Sequence, residues 1–101
     1  MKETWNELKD RLIKERVKVC ERCRKEDAMD LHHGLEGRMK SKPELNVEEN
    51  GELLCRDCHA NPGGYKARVE FWKRQCRRYG EQHMRDWYDG LDLKIKEVFD
   101  G

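Results

Sequence analysis

Leu53-Leu54-Cys55-Arg56-Asp57-Cys58-His59 carries two thiols at metal-binding spacing, with a histidine directly behind the second. A matching pair, Cys20-Glu21-Arg22-Cys23, lies upstream. Two CxxC pairs can hold one tetrahedral zinc as four thiolates, so Cys20, Cys23, Cys55 and Cys58 are the expected structural zinc ligands. Between the pairs stand Leu31-His32-His33 and Asn50, and with His59 they form a second constellation that a four-sulfur zinc does not need.

Length and composition suit a chain closed by metal. With 101 residues it supports one domain, and Leu, Ile, Val and Phe together supply only 18 of them. A net charge of +1, from 22 basic and 21 acidic residues, argues against disorder, which usually goes with a large unbalanced charge. A structural zinc contributes roughly 10 kcal/mol or more of apparent binding free energy to folding, enough to offset a thin apolar interior. The first twenty residues alternate charge with apolar positions and read as no signal peptide, and no run reaches the roughly 20 apolar residues of a bilayer span. The expectation is a soluble protein of a reducing, cytoplasmic setting with no membrane partner. Five cysteines is an odd count, and CxxC pairs there favour metal over two disulfides.

Thr4 followed by Glu7 is a capping-box pattern, and Trp5, Leu8, Leu12 and Ile13 recur at helical spacing, which places a helix near residues 5–16. Met29 to His33 suits a short strand, with Met29, Leu31 and His33 on one face and Asp30 and His32 on the other. Gly34 to Gly51 reads as a long hairpin loop carrying Arg38, Lys40 and Lys42, with Glu52-Leu53-Leu54 as the returning strand. A short helix beginning around Arg56 carries Cys58 and His59 and stops at Asn61-Pro62-Gly63-Gly64. In the next helix, Tyr65, Val69, Trp72, Cys76 and Tyr79 form the apparent apolar stripe, with Cys76 a packing thiol and Gly80 the stop. Glu81 to Asp89 is another short helix, and Leu91, Leu93 and Ile95 alternate in an extended tail.

The basic residues of that long helix, Lys66, Arg68, Lys73, Arg74, Arg77 and Arg78, stand against the single acid Glu70. Such a local stripe is the footprint of a phosphate-backbone partner, or else an ordinary solvated face. His32 and His33, adjacent on a strand, face opposite ways and so divide into two roles, one a metal ligand and one a base near neutral pKa. His59 could meet the ligand histidine across the hairpin, and Asn50 can orient the base or its backbone.

The order CxxC, Leu-His-His, Asn five residues before a second CxxC, then Cys-His resembles the HNH nuclease family in its zinc-stabilised form, common in phages and bacteria. It covers Cys20 to about Gly63. The resemblance implies a small α+β fold, a ββα-metal (His-Me finger) core with a structural zinc flanked by N-terminal and C-terminal helices. The single domain 1–101 then divides into a helix at 5–16, the zinc-bound motif at 20–63 and a helical extension at 64–101. It implies a metal-dependent DNA endonuclease or nickase hydrolysing phosphodiester bonds, with His33 as general base, Asn50 as the middle residue of the motif, and His32 and His59 as ligands of one catalytic metal. Asn46 replaces Asn50 if the hairpin register differs.

Two imidazoles suit manganese, nickel, cobalt or zinc better than magnesium. DNA would be contacted by Arg38, Lys40, Lys66, Lys73, Arg74 and Arg77. One metal centre cuts one strand at a time, so double-strand cleavage would require a dimer or two encounters; the expectation is a monomer or weak homodimer in a bacterial or phage-infected cell, beside DNA-packaging, restriction or homing systems. The chain departs from the family at Gly63, where a further ligand often stands, which predicts a weakly held ion. It departs again at Gly34, which replaces a bulky apolar residue and predicts a looser loop. The alternative is a non-catalytic zinc-stabilised module that binds DNA or protein; a redox CxxC protein is disfavoured by two pairs without a βαβ pattern.

Overall fold

Thr4 opens the first helix, α1 (Trp5–Glu15): its hydroxyl accepts from the Glu7 N–H while the Glu7 carboxylate accepts from the Thr4 N–H. In the computed structural model, residues 3–16, 18–35, 45–61 and 63–91 are described. Arg38, Lys40, Lys42, Leu93 and Ile95 fall outside them. Leu8 and Leu12 recur one helical turn apart and are buried against Ala28, Leu31 and Leu53, with Trp5 and Ile13 packed alongside.

The first cysteine pair sits in a tight knuckle. Val19 bridges Asp27, the Cys20 N–H donates to the Glu26 carbonyl at 2.8 Å, and Arg24 adopts φ 62° to turn the chain. Strand β1 (Asp30–His33) pairs antiparallel with β2 (Gly51–Leu54), matching Asp30 with Leu54, Leu31 with Leu53, His32 with Glu52 and His33 with Gly51. A 3-10 turn at Glu48–Asn50 leads into β2, and α2 (Arg56–Ala60) follows it directly and contacts both strands. The expected strand, strand and helix are therefore present, with β1 starting one residue later than Met29. Among the described residues, four α-helices and this two-stranded sheet make a small α+β arrangement. Among the described residues no helix is long and apolar enough to cross a membrane.

The long helix α3 (Gly64–Tyr79) and α4 (Glu81–Asp89) are joined at Gly80, whose φ of 97° suits glycine. The buried face of α3 differs from the stripe expected. Phe71 and Gln75 are fully buried, while Tyr65 is 73% exposed. Both choices are made by distant partners. Phe71 fills the space that a side chain on Gly34 would occupy, and Gln75 Nε2 donates to the Glu48 and Glu49 carbonyls, each at 3.0 Å.

Arg74 and Arg78 also turn inward. Glu52 and Glu21 are buried acids: Glu52 is held by Arg22 and Arg74, and Glu21 by Arg16 and Arg78 while its carboxylate accepts from the Leu53 N–H. Buried charges persist only when paired, so these two acids tie α3 to the cysteine knuckle and β2. Leu45 and Leu91, with Trp87 and Tyr88 beside them, form a separate apolar cluster.

Candidate functional site

The knuckle delivers Cys20 and Cys23, and the junction of β2 with α2 delivers Cys55 and Cys58. All four Sγ atoms lie within 4.8 Å of one another, and Cys23 Sγ is 3.9 Å from Cys55 Sγ. Tetrahedral zinc with sulfur at about 2.3 Å places neighbouring sulfurs about 3.8 Å apart, so the donor set and its spacing fit a structural metal such as zinc. Burial opposes ionisation of Cys20, but the N–H groups of Cys23, Cys55 and Arg22 outweigh it and pull the thiol down to about 6. The Lys25 and Glu26 N–H groups lower Cys23 as well. Cys58 is pushed up to about 12 by burial and by hydrogen bonds with the other three cysteines. Four thiolates this close need a cation, and the backbone donors already favour the first of them. The remaining thiol, Cys76, is half-buried on α3, and burial raises its pKa.

The two adjacent histidines leave β1 on opposite faces. His32 lies on the face with Asp30 and Glu52, where α2 brings His59 to it: the two rings meet edge to face with centroids 5.2 Å apart. His59 Nδ1 donates to Asp30 Oδ2 at 3.1 Å, which leaves Nε2 as the ring nitrogen with an available lone pair. Burial, then the nearby charges of His59, Arg22 and His33, lower His32 to about 4, so it is neutral and a competent ligand at physiological pH. Glu52 beside it has a raised pKa because burial outweighs Arg22 and Arg74. His32 and His59 form a pair only; among the described residues the cysteine cluster is the one group of three or more acidic, cysteine or histidine ligands close enough to share an ion.

His33 lies on the other face, against α1. Its ring is stacked on Trp5, centroids 3.9 Å apart and planes within 1°, and its Nε2 donates to Asn46 Oδ1 at 2.9 Å. Asn50 has a different job. Fully buried, it accepts from the Leu35 N–H and donates to the Leu45 carbonyl, each at 3.0 Å, while its own carbonyl accepts from the Gly34 N–H. It thus joins the two residues that flank segment 36–44, and the two asparagines weighed from the sequence divide the work, one on the loop ends and one on the imidazole.

Lys66, Lys73 and Arg77 are exposed on α3. Arg74 differs, because its guanidinium is committed to Glu52. Two supports of the histidines, Trp5 and Asp30, lie outside the motif residues. For Asp30 the signal was present, since residues two apart on a strand share a face and Asp30 stands two before His32. Trp5 reads as an ordinary core residue of an amphipathic helix. Comparison with protein-family models, curated protein sequences and solved structures finds no match to this chain.

Proposed function

We propose that this chain is a metal-dependent phosphodiester hydrolase acting on DNA, an HNH-type nuclease in which β1, β2 and α2 form the ββα-metal unit and four cysteines hold its zinc. The observation that carries the reading is the convergence of His32 and His59, rings 5.2 Å apart, beside a third histidine separately oriented by Asn46. The zinc alone requires none of these side chains. In this reading His33 takes a proton from water, which attacks phosphorus in line. His32 and His59 would hold a divalent ion, and Asp30 fixes the tautomer of His59. The ion, when bound, would neutralise charge on the phosphate and stabilise the leaving 3′ oxygen. Lys66, Lys73 and Arg77 are exposed cations of α3 offered to the DNA backbone.

Plasmid cleavage with purified protein tests this. Activity is expected with manganese or nickel at least as high as with magnesium, because imidazole is a poor magnesium ligand. His33→Ala should stay folded, bind DNA and not cut it, whereas Cys55→Ser should lose zinc and unfold. Parental cleavage by His33→Ala refutes the catalytic assignment. The cysteine cluster, as the one complete ligand group among the described residues, supports a second reading as a zinc-stabilised binding module, in which DNA is bound and never cut.

A further inference from the structure

Trp5 lies outside the unit that holds the cysteines and histidines, yet its indole makes the closest ring contact of any aromatic pair among the described residues. We propose that Trp5 is a positioning residue for His33, so that α1 is part of the active site as well as a cover for the sheet. The inference rests on the nuclease reading. An imidazole at a strand end has two side-chain torsions to restrain. The Trp5 face, parallel to the ring at 3.9 Å, fixes its plane, and Asn46 at 2.9 Å fixes its rotation within that plane.

The indole is itself anchored to the strand it serves. Trp5 Nε1 donates to the Leu31 carbonyl at 3.1 Å, two residues before His33. Strand backbone, indole and imidazole therefore form a closed unit, and a shift of α1 along the sheet would carry the His33 ring with it. Simple apolar packing does not demand this geometry. Leu8 and Leu12 bury the same helix face in the same cluster and touch no histidine ring in this way. A base must sit within hydrogen-bond reach of the water it activates, and a displacement of about 1 Å can cost about 100-fold in rate.

The test uses the zinc-loaded, full-length protein and four variants: Trp5→Leu, Trp5→Phe, Leu8→Ala and His33→Ala. Trp5→Leu should lower kcat about 10- to 100-fold with KM changed by less than about twofold, because ground-state DNA binding does not use His33. Trp5→Phe, which keeps an aromatic face, should recover kcat to within about fivefold of the parent. Leu8→Ala weakens the same helix without touching the ring and should keep kcat wherever it is folded. Proton NMR supplies a readout independent of cleavage: indole shielding should move the His33 ring protons upfield in the parent and in Trp5→Phe less so, and the shift should vanish in Trp5→Leu. Parental kcat in Trp5→Leu, an equal loss in Leu8→Ala, or unshielded His33 protons in the parent overturns the positioning role. If His33→Ala is inactive while Trp5→Leu is not, the positioning role alone falls; if His33→Ala cuts normally, the nuclease reading falls with it.

Discussion

Gly34 sits directly after the two histidines, and a single added methyl there should be costly. A Cβ built on Gly34 would lie 2.4, 2.5 and 2.5 Å from three ring carbons of Phe71, which is fully buried. Carbon atoms pack best at about 3.5–4.0 Å, so the ring would have to retreat by about 1 Å into a filled interior. Overpacking of this kind costs about 1–3 kcal/mol. Contacts this short fall in the upper part of that range, about 2–3 kcal/mol, and alanine returns about 0.4–1 kcal/mol by restricting the unfolded chain, so Gly34→Ala should destabilise by about 1–2.5 kcal/mol net.

For a domain of this size that corresponds to a Tm lower by roughly 5–15 °C. The assay is thermal or guanidinium unfolding of the zinc-loaded protein at fixed free zinc, since metal binding shifts apparent stability. A double-mutant cycle with Phe71→Leu isolates the cause: the smaller side chain should relieve the clash, with a favourable coupling of about 1 kcal/mol or more. A neutral Gly34→Ala, or strict additivity with Phe71→Leu, would refute the claim that glycine stands here to receive the α3 ring.

Glu52→Ala removes the acid that Arg22 and Arg74 share and leaves two partly buried guanidinium groups facing one another. The expected loss is about 3–5 kcal/mol in guanidinium unfolding, and a loss under about 1 kcal/mol would show that the arginines simply turn to solvent. The depressed pKa of His32 predicts an acid effect. Its folded value of about 4 lies below the usual 6.5, so its contribution to stability is fully present above pH 6.5 and is lost as pH falls toward 4. His32→Asn should therefore show a shallower fall in stability across that window than the parent; parallel curves would contradict the burial of a neutral imidazole. Lys73→Ala with Arg77→Ala should weaken DNA binding equally across sequences and reduce the slope of log K against log salt by about 1–2, read by fluorescence anisotropy. An unchanged slope would return both residues to the solvated face of α3.

Local patterns in the sequence carried the elements around the site. Thr4 with Glu7, and Trp5 with Leu8 and Leu12, announce α1, and the two cysteine pairs with the intervening histidines place β1, β2 and α2 in order. The buried face of α3 was not legible. Reading apolar residues at helical spacing selects Tyr65 and Tyr79, whereas the structure buries Phe71 under Gly34 and Gln75 under two carbonyls, partners more than 20 residues away in the chain. Glu21 and Glu52 look like surface acids in any polar–apolar pattern, and only the arriving arginines make their burial tolerable. Gly34 likewise read as a loosened loop and is instead a tightly packed contact. In the site itself, the opposite facing of His32 and His33 followed from strand geometry, but their supports did not. Asp30 reaches His59 across 29 residues, and Trp5 reaches His33 from a separate helix.

The proposed hydrolysis requires a second, open metal position on His32 and His59, apart from the cysteine site. Adding manganese to the zinc-loaded protein while following histidine ring protons by NMR tests it most directly, because the paramagnetic ion broadens the protons nearest to it. His32 and His59 should broaden first, His83 on α4 should lag, and His59→Asn should abolish the effect at His32. His32 and His59 left as sharp as His83 across the titration would contradict it.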